Sequence, residues 1–139
     1  MSGREGPRSL ARERALGLLY EASLKSVAPS QVIASLPMAP DPFAASLVRA
    51  VEADLSRIDA LVAGASVDWE LDRMPVLDLS ILRLAVAELI GWPDTPVAVV
   101  LNEAVELAKQ FSTEESGRFV NGVLSTVVEE VRPGQADAG

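Results

Sequence analysis

Lys109, Phe111, Arg118, Phe119 and Asn121 are the residues whose types and spacing could do chemistry in this chain. They fall within NEAVELAKQFSTEESGRFVNGVL at 102–124, where two amphipathic segments meet at a polar hinge. A cation can meet a phosphate of single-stranded RNA, an aromatic ring can stack on a base, and an amide can read a base edge. Arg118 and Asn121 are three apart and share a helix face. Both lie in the first turns of a helix, where free N–H groups favour phosphate. A plainer reading stands beside this one: Phe119 covers the edge of the core and Lys109 pairs with Glu106. Spacing alone favours the plainer reading. Gly122 sits inside the second helix at a cost of about 1 kcal/mol relative to Ala. It points to a close approach, by a neighbouring helix rather than by a ligand.

Other chemistry is scarce. The chain has neither cysteine nor histidine. Disulfides, thiolate sites and the commonest general base and metal ligand are therefore excluded. No catalytic residue, metal site or cofactor is expected. Glu103 and Glu106 share a helix face but make a poor metal site by themselves. The net charge of -8 argues against a general nucleic-acid binder without forbidding a local basic patch. The first 25 residues are the basic part, with Arg4, Arg8, Arg12, Arg14 and Lys25 against Glu5, Glu13 and Glu21. Those arginines can reach phosphates or simply pair with the nearby glutamates. Asp72, Asp78 and Glu88 can meet a basic partner, or only mark the wet edge of a buried helix. No run is long enough to span a membrane and no signal peptide is visible, so the cytoplasm is the default location.

The elements that must position these residues read as helices throughout. After a loose arm at 1–7, Ala11, Ala15, Leu18, Leu19 and Ala22 recur at helical spacing over 8–26, with Arg12, Leu16 and Tyr20 on an adjacent ridge. Pro29 and Ser30 start a short helix at 31–36. Asp41 caps a long helix at 42–63, with Phe43, Leu47, Val51, Leu55, Ile58 and Val62 inward and Gly64 at its end. Trp69, Leu71 and Met74 seal the core. Residues 75–91 are apolar almost all round, so that helix is central. Thr95 caps and Pro96 opens the next helix, whose stripe runs from Val97 to Phe111. The last helix spans about 113–131 and leaves a frayed tail at 132–139.

ARERALGLLYEA at 11–22, WELDRMPVLDLSILRLAVAEL at 69–89 and PVAVVLNEAVELAKQFSTEESGRFVNGVL at 96–124 together resemble the NusB family of bacterial transcription antitermination factors. The likeness covers about 8–131 and is weak over 27–65. It implies an all-α fold of about seven helices in two packed small bundles, near 8–64 and 66–131. It also implies a non-enzymatic adaptor that binds boxA-type RNA together with ribosomal protein S10 (NusE). Through that complex it would act with other antitermination factors and RNA polymerase on ribosomal RNA operons. By the resemblance, Arg8, Arg12 and Arg14 form one RNA contact, and Lys109, Phe111, Arg118 and Phe119, beside Glu115, form the other. Tyr20, Asp72 and Asp78 face S10, where an acidic surface suits a basic partner. Ser9 and Leu10 stand where many relatives carry further basic residues, so RNA affinity without S10 is expected to be low. Some relatives are monomers and others homodimers. RNA cytosine methyltransferases carry a similar domain, but this chain leaves no room for their catalytic part. The alternative is a stand-alone helical interaction module without specific RNA binding.

Overall fold

The computed structural model describes residues 6–67 and 70–135. Among them lie seven α-helices: α1 Pro7–Lys25, α2 Pro29–Ala34, α3 Pro42–Ala53, α4 Leu55–Ala65, α5 Val76–Gly91, α6 Val97–Phe111 and α7 Glu114–Val131. A single 3-10 turn, Leu71–Arg73, leads into α5. The all-helical reading holds. Trp69 lies outside the described residues; Met74 is buried as expected.

Helix α5 is the hub. Its buried residues include Ser80, Ile81, Leu82, Leu84, Val86, Ala87 and Leu89, which spread round most of the helix. It packs against α1, α3, α4, α6 and α7. A helix apolar all round has to be enclosed, because any face turned to water would waste its hydrophobic area. The amphipathic helices around it each contribute one stripe: Leu18 and Leu19 from α1, Leu47 and Val51 from α3, Val100 and Leu107 from α6, Val120 and Leu124 from α7.

The helix expected at 42–63 is two helices. Asp41 caps the first as foreseen, its Oδ1 accepting from the N–H groups of Phe43 at 2.8 Å and Ala44 at 3.3 Å. Asp54 then leaves helical geometry at φ -123°, ψ 28°. The break resets the helical phase. Ile58 and Val62 still point inward, but Leu55 is turned outward. It also redirects α4, which packs on α5 and α7 and only slightly on α3. Arg83 of α5 grips Asp59 of α4 through two bonds of 2.8 and 2.9 Å.

Two other local expectations change. Thr95 does not cap α6; Pro96 occupies the N-cap position. The carbonyl of Thr95 serves Arg132 instead. The Arg132 guanidinium donates to the carbonyls of Leu89 at 3.1 Å, Thr95 at 2.5 Å and Trp92 at 2.8 Å. Residue 132 was expected to open a frayed tail, yet Arg132 is buried. The end of α5 and the turn after it leave carbonyls without helical partners, and a planar five-donor fork can serve several at once.

Gly122 also departs from expectation. It is exposed, and a methyl group built on it would meet nothing within 4 Å. No helix comes close there. Gly122→Ala should therefore raise stability by about 0.5–1 kcal/mol in urea denaturation. Arg132→Ala should lower it by about 3 kcal/mol by stranding buried carbonyls, with Lys restoring only part.

Candidate nucleic-acid interface

The hinge between α6 and α7 is set by Thr113. Its Oγ1 accepts from the N–H of Ser116 at 2.9 Å and starts α7. Ser112 Oγ and Thr113 Oγ1 both bond Ser116 Oγ, at 2.9 and 3.1 Å. Ser116 Oγ in turn donates to Asp78 Oδ2 at 3.0 Å, tying the hinge to the first turn of α5.

Gly117 fixes the lysine of this hinge. A Cβ there would lie 3.0 Å from Lys109 Cγ and 3.4 Å from its Cε. Glycine lets the Lys109 stem lie flat across α7. This glycine, unlike Gly122, has a close neighbour. The usable signal was that Gly117 immediately precedes Arg118 and Phe119, at the start of a helix where Ala would be better tolerated.

Lys109, Arg118 and Asn121 are exposed, and Phe119 is half-buried against the core. Neither Lys109 nor Arg118 makes an ion pair among the described residues. The expected Lys109–Glu106 pair is absent, leaving both cations available. Phe119 lines a cavity of about 370 Å³ with Pro75, Asp78, Thr113, Glu115 and Ser116.

Phe111 lies elsewhere. It is exposed and lines a groove of about 710 Å³ between α1, α5 and α6, with Leu10, Glu13, Arg14, Leu16, Gly17, Tyr20 and Leu77. Leu77 belongs to the groove and Asp78 to the cavity, so the first turn of α5 separates the two depressions. The structure thus brings Phe111 together with Arg14 and Tyr20, and Phe119 together with Asp78.

The N-terminal arginines divide in their roles. Arg14 is exposed. The Arg8 guanidinium stacks on Phe43, 3.8 Å from the ring centroid, and Phe43 meets Trp92 edge-on at 5.7 Å. Arg12, expected to contact RNA, is only 5 % exposed. Its Nε and Nη2 donate to Glu88 at 2.8 and 2.6 Å, and its Nη1 donates to Glu103 at 3.0 Å. Ser9 Oγ also donates to Glu103. With its charge committed to two buried carboxylates, Arg12 presents none to a phosphate. Burial alone would lower the Arg12 pKa, but Glu88 and then Glu103 outweigh it and hold the value above the ordinary one. A raised value in the folded state means that this contribution is complete at neutral pH. It is lost only as pH climbs through the raised value.

Two acidic expectations change in the same way. Asp78 is 3 % and Glu88 1 % exposed, so neither marks a wet edge nor stands on an open partner-facing surface. Asp72, in the turn before α5, and Tyr20, on the groove, are exposed.

The NusB family model matches residues 9–129. The transcription antitermination protein NusB of Thermobifida fusca (strain YX) is 43% identical over 133 residues, covering 93% of this chain and 94% of that one. Among solved structures, T. maritima NusB superposes with a TM-score of 0.83 at 31% identity, covering 96% of this chain and 99% of that one. A chain from a crystal structure of the antitermination factors NusB and NusE with double-stranded RNA gives a TM-score of 0.73 at 28% identity. That match covers 86% of this chain and 94% of the other.

The buried Arg12 cluster generates a direct test. Arg12→Met removes the only cation facing Glu88 and Glu103 among the described residues and should cost about 3–5 kcal/mol in urea denaturation. Adding Glu88→Gln and Glu103→Gln to that variant should recover a large part of the loss. A loss under 1 kcal/mol would mean that water reaches the carboxylates.

Proposed function

Because this chain belongs to the NusB family, we propose that it performs transcription antitermination by holding boxA-type RNA and ribosomal protein S10 (NusE) together. It is an adaptor with no chemistry of its own. It works in the cytoplasm, where the assembled complex engages other antitermination factors and RNA polymerase. The observation that carries the RNA half is the pair of unpaired cations, Lys109 and Arg118, beside Phe119 on a hinge ordered by Thr113 and Ser116. The related complex with NusE and RNA supports the same reading.

The RNA surface we propose consists of Lys109, Arg118, Phe119 and Asn121 at the hinge, extended along the groove by Phe111 and Arg14. Arg8, stacked on Phe43, lies at the N-terminal end of the same helix as Arg14. Arg12 acts from inside, by fixing the helix that carries Arg8 and Arg14. The S10 surface consists of Tyr20 and Asp72. Asp78 would be reached only by a group that enters the cavity. No helix among the described residues is long and apolar enough to cross a membrane.

A gel-shift assay with boxA-like RNA, with and without S10, tests the adaptor. S10 should tighten RNA binding, and a scrambled RNA should bind less well. Binding of S10 without any RNA preference would instead favour the plain interaction module. Lys109→Ala and Arg118→Ala should each weaken RNA binding several-fold and reduce the salt dependence of log K by about 0.7. The helical circular-dichroism signal should remain intact.

A further inference from the structure

The chain has two lysines, Lys25 and Lys109, and the fold treats them differently. Lys25, in the last turn of α1, donates from Nζ to Glu21 Oε2 at 2.7 Å. That carboxylate occupies the amine and repels an approaching anion. Lys109, in the last turn of α6, is exposed and makes no ion pair among the described residues. Its stem lies against α7, with Cγ 3.0 Å and Cε 3.4 Å from where a Cβ on Gly117 would stand. The amine, one bond beyond Cε, is therefore beside α7 at the residue that precedes Arg118. Arg118 is exposed and makes no ion pair among the described residues either.

An exposed primary amine is a nucleophile once it gives up a proton. Next to an arginine, the electrophile that suits it best is an acyl phosphate. In such a molecule the phosphate is bonded directly to the acyl carbon. A guanidinium can hold that phosphate through two parallel hydrogen bonds while the carbonyl carbon faces the amine. A thioester carries no phosphate on its reacting carbon and gains nothing from the arginine.

We propose that Lys109 is an acyl-acceptor site, that it takes the acyl group from an acyl phosphate held by Arg118, and that its acylation switches off the RNA surface. The ammonium first releases a proton to water. The amine then attacks the acyl carbon: a C–N bond forms and the C–O bond to phosphate breaks. Inorganic phosphate leaves with that electron pair and takes the second proton from nitrogen. The product is a neutral amide, so of the two cations at the hinge only Arg118 keeps its charge. The switch rests on the RNA-binding reading above; the acceptor site does not.

Acetyl phosphate is the probe, applied to the full chain at mildly alkaline pH, with peptide mass spectrometry following each lysine. Lys109 should be acetylated about ten-fold faster than Lys25, roughly two-fold from the Glu21 pair and five-fold from a cation beside the phosphate. N-acetoxysuccinimide is uncharged and should show only the difference of about two-fold. Arg118→Gln, or high salt, should bring acetyl phosphate down to that same ratio. Lys25→Arg leaves Lys109 as the one lysine of the chain. Once acetylated, this variant should bind boxA-like RNA several-fold more weakly, with the salt dependence of log K reduced by about 0.7. Lys25→Arg combined with Lys109→Arg has no lysine and should bind RNA equally before and after the same treatment. Equal rates at the two lysines with acetyl phosphate, or a preference that Arg118→Gln leaves intact, overturns the acceptor site and leaves the RNA-binding reading standing. Selective acetylation of Lys109 with unchanged RNA affinity overturns the switch. Absence of RNA binding before treatment overturns the RNA-binding reading and the switch with it, while the rates still decide the acceptor site.

Discussion

The rest of the structure depends on one buried guanidinium held between two carboxylates. Arg12 joins α1 to Glu88 of α5 and Glu103 of α6, across 76 and 91 residues of sequence. Such a cluster adds little net stability over a well-packed apolar alternative, because three charges leave water to form it. Its effect is on which packing is allowed. Sliding α1 by one turn would keep much of its aliphatic stripe in contact but would strand two carboxylates in the interior. Leucines and valines are nearly interchangeable as core filler. The ion cluster is not, and it fixes the register on which both depressions depend.

Two surface depressions meet at the first turn of α5. Leu77 opens toward the groove with Tyr20, Arg14 and Phe111. Asp78 opens toward the cavity with Phe119. The hub helix is thus both the most buried element and the partition between two surfaces. That arrangement accommodates the charge balance of the molecule. A net charge of -8 would repel a polyanion from an average surface. Here several acids are withdrawn: Glu88 and Glu103 into the interior, Asp59 onto Arg83. Lys109, Arg118 and Arg14 remain on the surface.

The parts of the fold governed by local rules were legible in the sequence. The apolar periodicity of α1, α6 and α7, the all-round hydrophobicity of α5 and the Asp41 cap each follow from residues within a few positions of one another. What escaped depends on distant partners. Nothing near Arg12 distinguishes it from the solvated Arg14, since Glu88 and Glu103 are far along the chain. Arg132 looked like the start of a tail because its three partners are backbone carbonyls, which carry no side-chain signature. The break at Asp54 lies in an unbroken apolar period and is dictated by the direction α4 must take to reach α7. The hinge residues were found by type. Which of them share a depression became clear only once α5 was seen to divide them.

Gly117 has a consequence for the thermodynamics of association. A surface lysine normally samples many rotamers, and fixing such a side chain on binding forfeits roughly 0.5–1.5 kcal/mol of conformational entropy. The Lys109 stem rests on the bare backbone of α7, so much of that freedom is surrendered when the protein folds. A single absent methyl group on the neighbouring helix thereby gives the stem of a surface lysine a place to rest.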